Sequence, residues 1–198
     1  MLAWKQMAAS AFILALLVNA RAEVNSVPSP VPSVDLSRYV GRWYEIAAIP
    51  QWFQKKCVGQ VQAEYSNAED TLIKVLNTCM QADGSVSTAE GRAKVEDPVS
   101  HAKLKVTFVK IVNWIFTFGG DYWVIDLAQD YHYAVVGHPT RDYGWILSRT
   151  PSLDMNELRE IESRLVEQGY DSCKLLTTVQ TGGFSEKKPL CEVLKLTN

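Results

Sequence analysis

Eight short stretches in which apolar and polar residues alternate follow one another at about ten-residue spacing, with turn residues between them. A period of two at this spacing is the sequence form of antiparallel strands in a barrel or a sandwich. The stretches are residues 42–49, 58–66, 71–80, 87–95, 103–109, 121–127, 132–137 and 143–148, and Asn67-Ala68-Glu69-Asp70 turns the second into the third. After Pro151 the period changes. Met155, Leu158, Ile161 and Leu165 recur at steps of three and four, Asp154 with Glu157 makes a capping pair, and Gly169 is a natural stop. The pattern predicts an all-β chain: an eight-stranded antiparallel up-and-down β-barrel with one C-terminal amphipathic α-helix packed outside. Eight strands enclose an interior wide enough for one small ligand.

The first 22 residues stand apart from this pattern. Lys5 precedes the apolar run from Met7 to Val18, and Ala20-Arg21-Ala22 has the small-x-small form of a cleavage site, so residues 1–22 read as a signal peptide cut before Glu23. The run is shorter than the roughly 20 residues that a spanning helix needs. Removing it takes away Lys5 and Arg21 and no acid, which shifts the net charge from −2 to −4. No basic surface in the remainder invites nucleic acid. Residues 23–34, with Pro28, Pro30 and Pro32 alternating, exclude a helix or a central strand and read as an extended tether. One domain over residues 35–180 and a tail over 181–198 complete the chain.

Two motifs about a hundred residues apart tie the first strand to the last: Gly41-Arg42-Trp43-Tyr44-Glu45 and Trp145-Ile146-Leu147-Ser148-Arg149-Thr150-Pro151. A Trp near the start of the first strand and an Arg at the end of the last meet if the sheet closes. An indole face attracts a guanidinium by roughly 0.5–2 kcal/mol, so the pair would plug one end of the barrel. A third motif is Asp126-Leu127-Ala128-Gln129-Asp130-Tyr131 with Ala134-Val135-Val136 behind it. Together these resemble the signatures of the lipocalin family, most closely its bacterial branch, over about residues 35–178. Gly41, Trp43, Tyr44, Glu45, Asp130, Tyr131 and Arg149 match the signature positions. The resemblance implies a lipid-binding protein that stores or moves fatty acids or lysophospholipids in the cell envelope and serves membrane maintenance. Many bacterial lipocalins are held to the outer membrane through an acylated Cys directly after the signal peptide, whereas the first Cys here is Cys57. A periplasmic or secreted protein without that anchor is therefore expected.

Cys57, Cys79, Cys173 and Cys191 are an even set in a chain read as exported, which predicts two disulfides. With the hairpin turn centred near residue 68, positions 57 and 79 face each other across two strands, which favours Cys57–Cys79 and leaves Cys173–Cys191. Cys57–Cys191 with Cys79–Cys173 stays open, because it resembles animal lipocalins whose tail is stapled to the second strand. The four cysteines are far apart and His101, His132 and His138 do not group with them, so no metal site and no cofactor is expected.

Catalysis is not expected either. Ser148, His138 and Asp142 can be drawn as a triad, but no nucleophile elbow surrounds the serine. Gly119-Gly120 precedes a strand rather than a helix and lacks an anion-cradling terminus. The alternatives to a lipid carrier are a lipocalin-fold enzyme of the epoxidase or isomerase kind, or a carrier of haem, bilin or retinoid, although no His-based iron ligand is present.

Because strands alternate and Trp43 with Arg149 mark the closed end, odd-numbered connections lie at the mouth. The first, residues 50–56, contains Trp52 and Phe53; the fifth, residues 110–120, contains Ile111, Val112, Trp114, Ile115, Phe116 and Phe118. Either these residues prolong the flanking strands and bury themselves, or they form an apolar lip that collects an acyl chain, touches a membrane surface or packs against a second copy in a homodimer. Residues in phase to face inward are Ala47, Ile49, Val61, Ala63, Val75, Asn77, Ala93, Val106 and Phe108, a wall that suits an acyl chain. One bulge would move every later side chain to the other face. Tyr65, Tyr122 and Arg92 are candidates to meet a head group.

Overall fold

The structure, a computed structural model, describes residues 27–67 and 72–195. The expected signal peptide and the hairpin turn at 68–71 lie outside the described residues. Eight strands close a barrel: β1 (Gly41–Ala48), β2 (Cys57–Asn67), β3 (Ile73–Gln81), β4 (Val86–Val95), β5 (Lys103–Thr107), β6 (Gly120–Leu127), β7 (Tyr133–Gly137) and β8 (Gly144–Ser148). Each is antiparallel to the next, β8 returns to β1, and β1 pairs with β2 over Gly41–Tyr44. An additional short strand, β9 (Leu176–Thr177), lies against the upper end of β1. Helix α1 (Leu36–Tyr39) precedes the barrel, α2 (Met155–Glu167) packs outside it and α3 (Leu190–Lys195) ends the tail. The expected strand positions agree within one or two residues, and α1, β9 and α3 are too short to leave a periodic trace.

Alternation along the strands divides the apolar residues between two cores. Inside the barrel lie Trp43, Tyr65, Ile73, Val75, Ala93, Leu104, Val124, Ala134, Val136 and Leu147. Outside it, Ile46, Ile125, Val135 and Ile146 pack against Leu158, Ile161 and Leu165 of α2. The Asp154 carboxylate caps α2, accepting from the Asn156 and Glu157 amides, and Gly169, at φ +82°, follows its end. Glu157 does not complete the expected capping pair, because its carboxylate meets His132 Nε2 at 2.6 Å instead.

Three departures from the expected geometry bear on the site. First, the tether is docked from its described start: Val31 N donates to Val124 O, Val34 N to Ser100 O, and Val34 is buried in the inner core. Second, β1 bulges between Glu45 and Ala47, and β2 between Cys57 and Gln62. Above its pairing with β1, β2 meets the tail: Gln60 N donates to Val179 O, while Thr178 N donates to Ile46 O. A side chain at Gly59 would place its Cβ 2.7 Å from Val179 O, so the close approach requires glycine. Third, the pairs Asn67–Ile73 and Tyr65–Val75 centre the hairpin on residue 70 rather than 68. Cys57 is then opposite Gln81, and the Cys57–Cys79 disulfide runs diagonally, with Cα atoms 5.6 Å apart. The second disulfide, Cys173–Cys191, joins a short 3-10 turn to α3.

Candidate functional site

Cross-strand partners share a face, so the ladders give the inner wall row by row. Trp43, Ala63, Asn77 and Ala89 form one row, and Tyr65, Val75 and Gly91 the row nearer the closed end. The Phe108 ring lies over Gly91, its Cδ1 2.8 Å from where a Cβ would stand, which puts Phe108 inside. Val61 packs with Cys57 and Cys79 near the mouth, while Ala93 and Val106 oppose one another lower down. Seven of the nine expected wall residues thus share the inner face. Ala47 and Ile49 do not. The β1 bulge places Ala47 opposite Ile146, and both residues pack with the outer core under α2.

The lower half of the barrel is filled. Tyr39, Tyr65 and Tyr122 meet there, with the Tyr122 hydroxyl 2.8 Å from that of Tyr39 and 3.1 Å from that of Tyr65. Burial raises the pKa of all three, pushing Tyr65 up to about 12, so they remain neutral hydroxyls. A residual cavity of about 20 Å³ beside them, lined by Leu36, Ile73, Ala93, Leu104 and Val106, has room for one water. Tyr39 was not among the sequence candidates, because nothing in its local pattern distinguishes it from a helix residue. Arg92 is not a head-group candidate. It points outward between Gly91 and Ala93, its Nη1 2.9 Å from Glu90 Oε1.

Closing the floor, the Arg149 guanidinium lies 3.7 Å from the Trp43 ring centroid. Its nitrogens donate to the carbonyls of Arg42, Arg38, Tyr39 and Tyr131, and Trp43 Nε1 donates to Tyr39 O at 2.8 Å. Among the other signature residues, the Tyr131 hydroxyl accepts from Asp35 N and its ring carries Arg38 at 4.0 Å. Asp130 accepts from the His132 amide and meets its ring. Tyr44, opposite Gln62 and Ser148, belongs to the ladder.

Above Trp43 on the inner face, Glu45 forms the polar centre of the upper barrel, only 7% exposed. Thr178 Oγ1 donates to its Oε1 at 2.6 Å and Gln54 Nε2 to its Oε2 at 3.0 Å. Burial raises its pKa against the pull of those two hydrogen bonds and of Lys187. Gln180 Nε2 donates to the Glu45 and Val61 carbonyls, leaving Gln180 Oε1 buried without a partner, and Asn77 Oδ1 is likewise unpartnered.

The mouth is framed by the first and fifth connections. Gln51 Nε2 donates to Asp142 O, tying the first connection to the seventh, and Trp52 and Phe53 project outward. The fifth connection folds back on the outer wall rather than over the opening. Thr107 and Arg92 oppose each other on that wall; Thr107 Oγ1 donates to Ile115 O, and the Trp114 ring lies over Arg92 at 4.8 Å. Trp114 is therefore not at the mouth, and Phe116 is half-buried in a 3-10 turn beside it. The hypothetical triad is not assembled. Ser148 is buried at the closed end of β8, whereas His138 and Asp142 flank its other end.

The match to known proteins agrees with this architecture. The family model described as a lipocalin-like domain matches residues 34–180. Temperature-induced lipocalin-1 of Arabidopsis thaliana is 41% identical over 153 residues, spanning 76% of this chain and 82% of its own. The outer membrane lipoprotein Blc of Escherichia coli (strain K12) is 35% identical, with 77% and 82% covered. Apolipoprotein D of Rattus norvegicus is 37% identical over 164 residues, with the same coverage. Insecticyanin of Manduca sexta shares the fold with a TM-score of 0.62 at 22% identity, covering 82% of this chain and 93% of its own. By family model, relatives and fold alike, the chain belongs to the lipocalin family.

Proposed function

We propose that this protein is a lipid carrier that holds one fatty acid or lysophospholipid with its acyl chain in the upper half of the barrel. The observation that carries the reading is the contrast between the two halves. The floor is packed shut by Trp43 and three tyrosines, whereas from the Trp43 row toward the mouth the inner face carries Val61, Ala63 and Ala89, small or apolar, with Ala89 exposed. Such a wall suits an unbranched chain, in keeping with the small hydrophobic ligands of the family. Two disulfides fit an exported protein working in an oxidising compartment such as the periplasm or the exterior. The role is carriage and membrane maintenance rather than turnover.

Titration with a fluorescent fatty acid tests this reading. Ala89 is exposed on the inner face, so Ala89→Trp fills the upper barrel without disturbing the core. Affinity should fall at least about tenfold while the melting temperature holds. Equal affinity in the two proteins would remove the upper barrel from the site. Product formation on incubation with a lysophospholipid would replace the carrier with an enzyme.

A further inference from the structure

The two disulfides differ in what surrounds them. Cys57 and Cys79 are both buried, at 8% and 5% exposure, and Cys191 is buried in α3 at 7%. Its partner Cys173, in the 3-10 turn after α2, is the only one of the four that is exposed. Thiol–disulfide exchange needs a sulfur that an incoming thiolate can reach, and Cys173 presents it.

Between Cys173 and Cys191 runs the segment that completes the upper wall. Leu176 and Thr177 pair with Ala48 and Ala47 of β1, and Thr178 N donates to Ile46 O. On the other side Gln60 N of β2 donates to Val179 O, and Gln180 Nε2 donates to Val61 O. β1 and β2 pair directly only over Gly41–Tyr44, so above that row this strap is what joins them. Past Gln180 the chain doubles back, Thr177 N donating to Lys188 O and Leu190 N to Leu175 O. It ends in α3, whose six residues fall well short of the roughly 12–15 that hold a helix unaided. The returning end of the strap is therefore held by the packing of Leu190 and Leu194 and by the bond to Cys173.

We infer that Cys173–Cys191 is a thiol–disulfide exchange site for a dithiol reductant, and that its reduction frees the strap and opens the barrel sideways between β1 and β2. A thiolate of the reductant attacks Cys173 Sγ, the disulfide breaks, and its electron pair leaves on Cys191 Sγ, which takes up a proton. The second thiol of the reductant then displaces Cys173, which is protonated in turn, and the reductant departs as its own disulfide. The protein gains the two electrons and two protons that the dithiol loses. The bond spans 18 positions, and cutting a disulfide across a loop of that size favours opening by roughly a hundredfold. This inference rests on the carrier reading: the side that opens is the wall of the proposed ligand chamber, so reduction turns a holding form into a releasing one.

Dithiothreitol titration of the purified, oxidised protein, with alkylation and peptide mass mapping at each step, tests the site. Cys173 and Cys191 should be alkylated at a concentration at least about tenfold below that needed for Cys57 and Cys79. In the singly reduced protein, amide exchange should rise at least about tenfold at Gln60 and Thr178, whose N–H groups cross the seam, and stay slow at Val75 and Val136. A bound fluorescent fatty acid should leave at least about fivefold faster. Cys173→Ser with Cys191→Ser should behave as the reduced protein with or without dithiothreitol. Reduction of both disulfides together, or seam exchange unchanged after selective reduction, overturns the proposal. So does loosening throughout the barrel, which would make the bond a support of the whole fold, and so does a fatty acid that leaves both forms at the same rate. An oxidised protein that binds no fatty acid sinks the carrier reading alone, since mapping and amide exchange still decide whether the bond is an exchange site that frees the strap.

Discussion

Arg149 shows how one side chain can satisfy several demands at once. Its planar fork supplies four backbone carbonyls while its face covers Trp43, a combination that a lysine lacks. Trp43→Ala should cost about 3–5 kcal/mol by opening a cavity in the floor, which corresponds to a melting temperature lower by roughly 6–20 °C. Arg149→Lys should recover only part of the loss of Arg149→Ala in the same measurement. A Trp43→Ala melt within a degree or two of wild type would contradict the closed-end lock. Glu45 makes the opposite case, a charge held where burial disfavours it. Its folded pKa lies above the unfolded one, so the stability it contributes is full below the unfolded pKa and is lost as pH rises through the folded pKa. Glu45→Gln keeps an oxygen for Gln54 and an amide for Thr178. The variant should match wild type in acid and become relatively more stable toward neutral pH, as read from melting curves across that range; a relative gain in acid would be the wrong sign. The Trp43–Arg149 pair was legible because each motif is complete within a few residues. The environment of Glu45 was not, since Thr178 and Gln180 arrive from 133 and 135 positions away.

At the scale of elements, the barrel strands and the long helix were legible because each has a period that survives over five or more residues. Bulges have no such signature. The one between Glu45 and Ala47 reverses the phase of β1 and sends Ala47 and Ile49 to the helix side, whereas β3, regular throughout, keeps Val75 and Asn77 inside. The fifth connection was ambiguous for the same reason. Its residues are apolar without a period, and the hydroxyl of Thr107 draws Ile115 back onto the wall. Trp114→Ser should therefore lower the melting temperature by a few degrees, since the ring loses its stacking on Arg92 and Lys110, and leave fatty acid affinity unchanged. A loss of affinity without a change in the melt would return Trp114 to the mouth.

In the whole molecule, the barrel draws on both of its ends for closure. Residues before the first strand reach Val124 and Ser100, and residues after the long helix occupy the gap between β1 and β2. The gap filled by Thr178, Val179 and Gln180 joins the first strand of the barrel to be made with a segment made after the long helix. A ribosome delivers those pieces about 135 residues apart, so the upper wall stays unsealed until the later one emerges, whatever order the other hairpins form in. The complete upper wall thus waits on Gln180: a nascent barrel that has not reached it has hairpins and a floor, but one side of its upper half is still missing.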